Sequence, residues 1–105
     1  MDKNPATTSC LTPFHDAARN GHLEICKIII KSLVDKNPGD VDGRTPLHNA
    51  ARNGHLEICK LICEHTNNKN PSDALGQTPI SIAIDFKKLE IVAFLEKMNN
   101  DQKLL

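Results

Sequence analysis

Apolar residues along this chain fall into short clusters separated by polar stretches rich in turn formers. Leu56, Ile58, Cys59, Leu61 and Ile62 recur at near-helical intervals and predict a helix with one apolar face. Ahead of it, Thr45-Pro46 signals a helix start: threonine caps the end, and proline takes a first position where no N–H is needed and φ is preset. The helix so begun runs through Leu47-His48-Asn49-Ala50-Ala51-Arg52, where the alanine pair lets a neighbour approach closely. Gly54 supplies the positive φ that ends it. Residues 67–77 have no helical period, and 73–76, like 40–43, read as a turn closed by glycine. The unit is therefore turn, helix, turn, helix. One such pair cannot bury its apolar face alone, so units must stack.

The pattern repeats. Pro13, Pro46 and Pro79 are spaced by 33 residues, as are Asn4-Pro5, Asn37-Pro38 and Asn70-Pro71. The sixteen-residue windows 12–27 and 45–60 differ only at Phe14/Leu47 and Asp16/Asn49. The third window, 78–93, keeps six of the sixteen: Thr78, Pro79, Ala83, Leu89, Glu90 and Ile91. Two near-identical units and one degenerate unit suit an array whose last member lacks a neighbour on one side. The expectation is a single domain over 1–105, with repeats at about 4–36, 37–69 and 70–102.

Composition narrows the function. Thirteen Lys+Arg balance thirteen Asp+Glu, which argues against a nucleic-acid partner, since such binders need a basic face to release counterions. No polybasic segment invites an anionic membrane, and apolar runs such as Ile28-Ile29-Ile30 are far too short for a span. Residues 1–13 are polar and lack the apolar core of a signal peptide, so a cytoplasmic location and reduced cysteines are expected. Only three aromatics occur, Phe14, Phe86 and Phe94. A stacked array needs only layers of Ala, Leu and Ile between units, so this scarcity fits it.

The motifs resemble the ankyrin repeat family. The family's T-P-L-H-x-A-A stands as Thr45-Pro46-Leu47-His48-Asn49-Ala50-Ala51 and as Thr12-Pro13-Phe14-His15-Asp16-Ala17-Ala18. Its G-H-L-E-I-V stands as Gly21-His22-Leu23-Glu24-Ile25-Cys26 and again from Gly54 to Cys59. The likeness covers residues 4–98 and implies an all-α solenoid of stacked helix-turn-helix units with hairpin-like connections. It departs from the family at several positions. Thr7 and Cys10 replace the turn residues Asp40 and Gly43, so the first turn is expected to be frayed or reshaped. Ser81 replaces the motif histidine. Lys87 replaces the helix-ending glycine, and must strain into a left-handed conformation or let the helix end differently. The family's Gly-Ala-Asp-Val-Asn is missing after the second helices, which are expected to finish on other caps.

Candidate chemistry is thin. Cys59 and Cys63, at i and i+4 with His65 nearby, suggest zinc or redox work, but structural zinc wants four closely spaced ligands. Core packing is the better reading, and no metal or other cofactor is expected. His15 and His48 have no recurring nucleophile and orienter beside them, and there is no phosphate-cradling glycine loop. No enzymatic activity is expected. The resemblance instead implies that the motif histidines bond backbone and tie one repeat to the next, with His22 and His55 as further struts.

The resemblance also implies a protein partner, held by the turn tips and the exposed side of the first helices. Carried over by register, that surface comprises Arg19 and Asn20, with Thr8, Ser9 and Leu11, in the first unit. The second unit adds Val41, Asp42, Arg44, Arg52 and Asn53; the third adds Ala74, Leu75, Gln77, Asp85 and Phe86. Val41, Leu75 and Phe86 are apolar where exposure is expected, which marks a binding strip, since hot spots favour aromatics and arginine; for Phe86 the alternative is that it simply covers the end of the array where Asn20 and Asn53 stand in the earlier units. Lys87, Lys88 and Lys97 read as solvated. The alternative is a structural or regulatory segment of a longer array in a multidomain protein. The isolated chain is expected to be a monomer or a weak homo-oligomer, with Leu104-Leu105 a candidate for self-association.

Overall fold

The computed structural model describes residues 11–33 and 38–103, with side chains as far as residue 100. The expected first turn at Thr7 and Cys10, the surface residues Thr8 and Ser9, and Leu104-Leu105 lie outside the described residues. Among the described residues six helices follow one another: α1 (Pro13–Asn20), α2 (Leu23–Ser32), α3 (Pro46–Arg52), α4 (Leu56–His65), α5 (Pro79–Asp85) and α6 (Leu89–Lys103). There is no strand among the described residues, and the fold is an all-α stack of helix pairs.

Each first helix begins as its sequence dictates. Thr12, Thr45 and Thr78 sit in extended backbone, and their hydroxyls accept from the N–H three residues on, with proline next in line. Gly21 and Gly54 then turn the chain at φ 78° and 81°. In the third unit Lys87 holds the equivalent conformation at φ 60°, so of the two expected outcomes the left-handed one occurs. For a residue with a Cβ it costs about 1–2 kcal/mol.

The second helices end differently. α2 stops at Leu33 and α4 at Thr66, both in extended backbone rather than on a left-handed cap. α6 runs 15 residues where α2 and α4 run 10.

α1, α3 and α5 form one row of the stack; α2, α4 and α6 form the other. Between them lies one core layer per unit: Phe14, Leu47, Ile30, Ile58, Ile62, Ile91 and Leu95 are each no more than 2% exposed. Each such side chain contributes about 1.5–3 kcal/mol by leaving water. Ala18, Ala50, Ala51 and Ala83 are fully buried, and their small volume lets the first helices lie close. Cys26, Cys59 and Cys63 fill core positions, and burial pushes the thiols up, to about 11 for Cys26 and Cys63.

The links between units are hairpins built on an aspartate. Asp40 Oδ1 accepts from the N–H groups of Asp42 (2.8 Å) and Arg44 (3.0 Å). Asp73 Oδ1 does the same for Leu75 (2.9 Å) and Gln77 (2.8 Å). Gly43 and Gly76 close these turns at φ 77° and 81°. The hairpins join through Ala74 N–H, which donates to the Asp42 carbonyl at 2.8 Å.

Candidate functional site

The motif histidines set the spacing of the concave side. In His15, Nδ1 lies 3.2 Å from Thr12 N and Nε2 lies 2.8 Å from the Arg44 carbonyl. A main-chain N–H can only donate, so Nδ1 accepts and the ring proton sits on Nε2, which donates across the unit boundary. His48 repeats this between Thr45 N (3.0 Å) and the Gln77 carbonyl (2.9 Å). The strut role implied for these residues is what the structure gives them. His55 is also a strut, its Nε2 donating to the Arg19 carbonyl at 3.0 Å. In the third unit Ser81 keeps the local cap, accepting from Thr78 N at 2.9 Å and donating to the Thr78 carbonyl at 3.0 Å. Lys88, expected to be solvated, is half-buried instead, because its stem lies over Gly54 where the His55 ring lies over Gly21.

With units held in this register, a groove of about 230 Å³ opens between the second and third. Arg44 and Gln77 stand toward the hairpin end, Asn49, His48 and Ile82 along the helices, and Arg52 and Phe86 at the far end. The Arg52 guanidinium lies over the Phe86 ring, 5.0 Å from its centroid, a cation–π arrangement that holds both side chains at the rim. Arg44 is anchored on its other side, Nε lying 3.6 Å from Asp73 Oδ2. Asp73 is buried, which disfavours its charge. The N–H groups of Gln77 and Leu75, with His48 and Arg44, outweigh that and lower its pKa below the usual carboxylate value.

Four of the residues expected on the binding surface therefore meet here: Arg44, Arg52, Gln77 and Phe86. Val41 and Leu75 are 60% and 77% exposed on adjoining hairpin tips, with Asp42 beside Val41. They and Phe86 do not form one continuous strip, since the tips lie at the hairpin end and Phe86 caps the opposite end of α5. Asn53 donates to the Arg19 carbonyl at 3.1 Å, and the Arg19 side chain pairs with Asp16 at 3.5 Å. Asn20 stands apart at the N-terminal end of the stack, and Asp85 is exposed beside Phe86. His48, Asn49 and Ile82 were not expected in the groove. The signal that finds Asn49 is the 34-residue step linking it to His15, as Asn53 is linked to Arg19 and Phe86 to Arg52.

No three His, Cys, Asp or Glu side chains gather into a metal-binding group among the described residues. His65 Nδ1 donates to the Leu61 carbonyl at 2.9 Å. No helix among the described residues is long and apolar enough to cross a membrane. A comparison with curated proteins finds no match. A family model describing ankyrin repeats, in three copies, matches residues 14–104. The period, the capping histidines and that match agree: the chain belongs to the ankyrin repeat family, whose members are generally protein-interaction modules.

Proposed function

We propose that this chain is a non-enzymatic interaction module that holds a protein partner in the groove between α3 and α5 and on the adjoining hairpin tips. The observation that carries this reading is the Arg52–Phe86 pair, preassembled at 5.0 Å with the ring still 47% exposed. Arginine and aromatic side chains dominate interface energetics, and a pair fixed before binding loses little freedom on contact. The backbone of Arg44 and Gln77 is fixed as well, in hairpins locked by Asp40 and Asp73. A rigid, partly apolar cleft with arginines at both ends suits a peptide segment or a protruding side chain better than a small metabolite.

The test is affinity capture from the native cell with the wild-type chain and with Leu75→Ser/Phe86→Ser. Losing a hot spot of about 2 kcal/mol lowers affinity roughly thirty-fold, so the double substitution is expected to abolish capture of a defined partner. Helical circular dichroism is expected to stay unchanged, since both side chains are exposed. Equal capture by the two chains removes this face from consideration.

A further inference from the structure

The boundary between the second and third units differs in its charges from the boundary before it. Positions 33 residues apart make the two directly comparable: Arg52 lies in the register of Arg19, Asn49 in that of Asp16, and Phe86 in that of Asn53. At the earlier boundary the arginine is already engaged. Arg19 Nη2 lies 3.5 Å from Asp16 Oδ1, and Asn53 donates to the Arg19 carbonyl at 3.1 Å. At the later boundary Asn49 stands in place of that carboxylate, and Arg52 makes no ion pair among the described residues. Phe86 lies against it instead, and a ring orients a guanidinium without neutralising it. The windows 12–27 and 45–60 differ at only two positions, and Asp16/Asn49 is one of them.

The groove is left with an unmatched positive charge. Of its two guanidiniums, that of Arg44 is offset by the buried Asp73, and that of Arg52 by no carboxylate. No Asp or Glu lines the groove; Asp42 and Asp85 are exposed outside it, where water screens them. His48 accepts through Nδ1 and is neutral, so it adds no charge. The amides of Asn49 and Gln77 add uncharged donors. One net positive charge beside an aromatic ring matches a single carboxylate, whereas a phosphate would bring up to about two negative charges.

We propose that the groove receives an internal Asp or Glu side chain of an extended peptide segment, its carboxylate on Arg52 and an apolar neighbour on Phe86. This rests on the protein-binding role proposed for the groove. A guanidinium and a carboxylate meet through two parallel hydrogen bonds, which fixes the register of the segment. The chain then continues past Arg44 toward Leu75, exposed at the hairpin tip, so the charge comes from within the segment and not from its C-terminus.

The test is selection from a library of random hexapeptides, amidated at their C-termini, by the full chain. The wild-type chain is expected to enrich Asp or Glu at one position beside an apolar residue. Exchanging that acid for its amide in a selected peptide is expected to weaken binding about ten-fold or more, read by fluorescence anisotropy. Asn49→Asp cancels the net charge of the groove, and Asp16 already occupies that register in the first unit. It is expected to weaken the acidic peptide to a similar degree and to bind acid and amide forms alike, with helical circular dichroism unchanged. Arg52→Gln is expected to behave the same way. Acidic peptides held as tightly by both variants as by the wild type overturn the proposal. Peptides enriched without an acid, yet lost in Leu75→Ser/Phe86→Ser, overturn the carboxylate and keep the groove. Enrichment only from a library with free C-termini overturns it in favour of a terminal carboxylate. Enrichment from neither library overturns it as well, while the groove itself still stands or falls on the capture of a native partner.

Discussion

His48 uses both ring nitrogens, and this fixes its charge as well as its place. Protonating Nδ1 would break its contact with Thr45 N, and burial already disfavours the cation. Desolvation outweighs the Gln77 carbonyl and Asp73, so the folded pKa lies below 6.5. The unfolded chain then takes up a proton near pH 6.5 that the folded chain refuses, and stability is full above that pH and falls as the pH drops below it. Asp73 acts in the same direction but at lower pH, since its folded pKa is below 3.8. The urea midpoint is accordingly expected to be lower at pH 5.0 than at pH 7.5. His48→Gln should lower stability at pH 7.5 and narrow the difference between the two. The strut role of these histidines was implied by the resemblance to the ankyrin family carried by the T-P-L-H motif. The Arg52–Phe86 contact was not, because residues facing each other across a boundary are offset by one from equivalent ones, and only stacked helices reveal the offset.

At the level of elements, the hairpins offer a controlled comparison. Gly43 and Gly76 have nearly the same backbone, φ 77° and 81°, but different neighbours. A Cβ at Gly76 would meet nothing within 4 Å, whereas one at Gly43 would lie 3.0 Å from Ala74 N and 3.2 Å from Asp73 Cα. Those atoms are backbone and yield little. Gly76→Ala is expected to cost about 1–2 kcal/mol of conformational strain, and Gly43→Ala distinctly more, measured by urea denaturation. The turns and first helices were readable because caps, proline and glycine act locally. The ends of the second helices were less so, since no single residue stops α2 or α4 in the way Gly21 stops α1.

Across the whole molecule, each unit is stabilised by its neighbours rather than by a central core. Leu47 in the middle unit is fully buried between two others. Leu47→Ala is expected to cost about 2–5 kcal/mol and to shift one shared helical transition, followed by circular dichroism, to a lower midpoint. Stepwise loss of the units would show that their boundaries couple weakly. The period and the degenerate last unit were visible in the sequence, but the unequal ends were not. Ile25 and Ile58 sit in nearly identical words, and only stacking makes one bare and the other buried.

The bonds by which His15 and His48 fix the stack end on the carbonyls of Arg44 and Gln77, not on their side chains. Every amino acid carries that carbonyl. Residue 77 can therefore change identity without disturbing the geometry that positions it, whereas Arg44 is also held by its ion pair with the buried Asp73; both line the groove. On the proposed function, specificity and architecture are separated at Gln77: the backbone is committed, while the side chain is left for selection to vary. A new partner could be reached through substitutions there without re-evolving the scaffold.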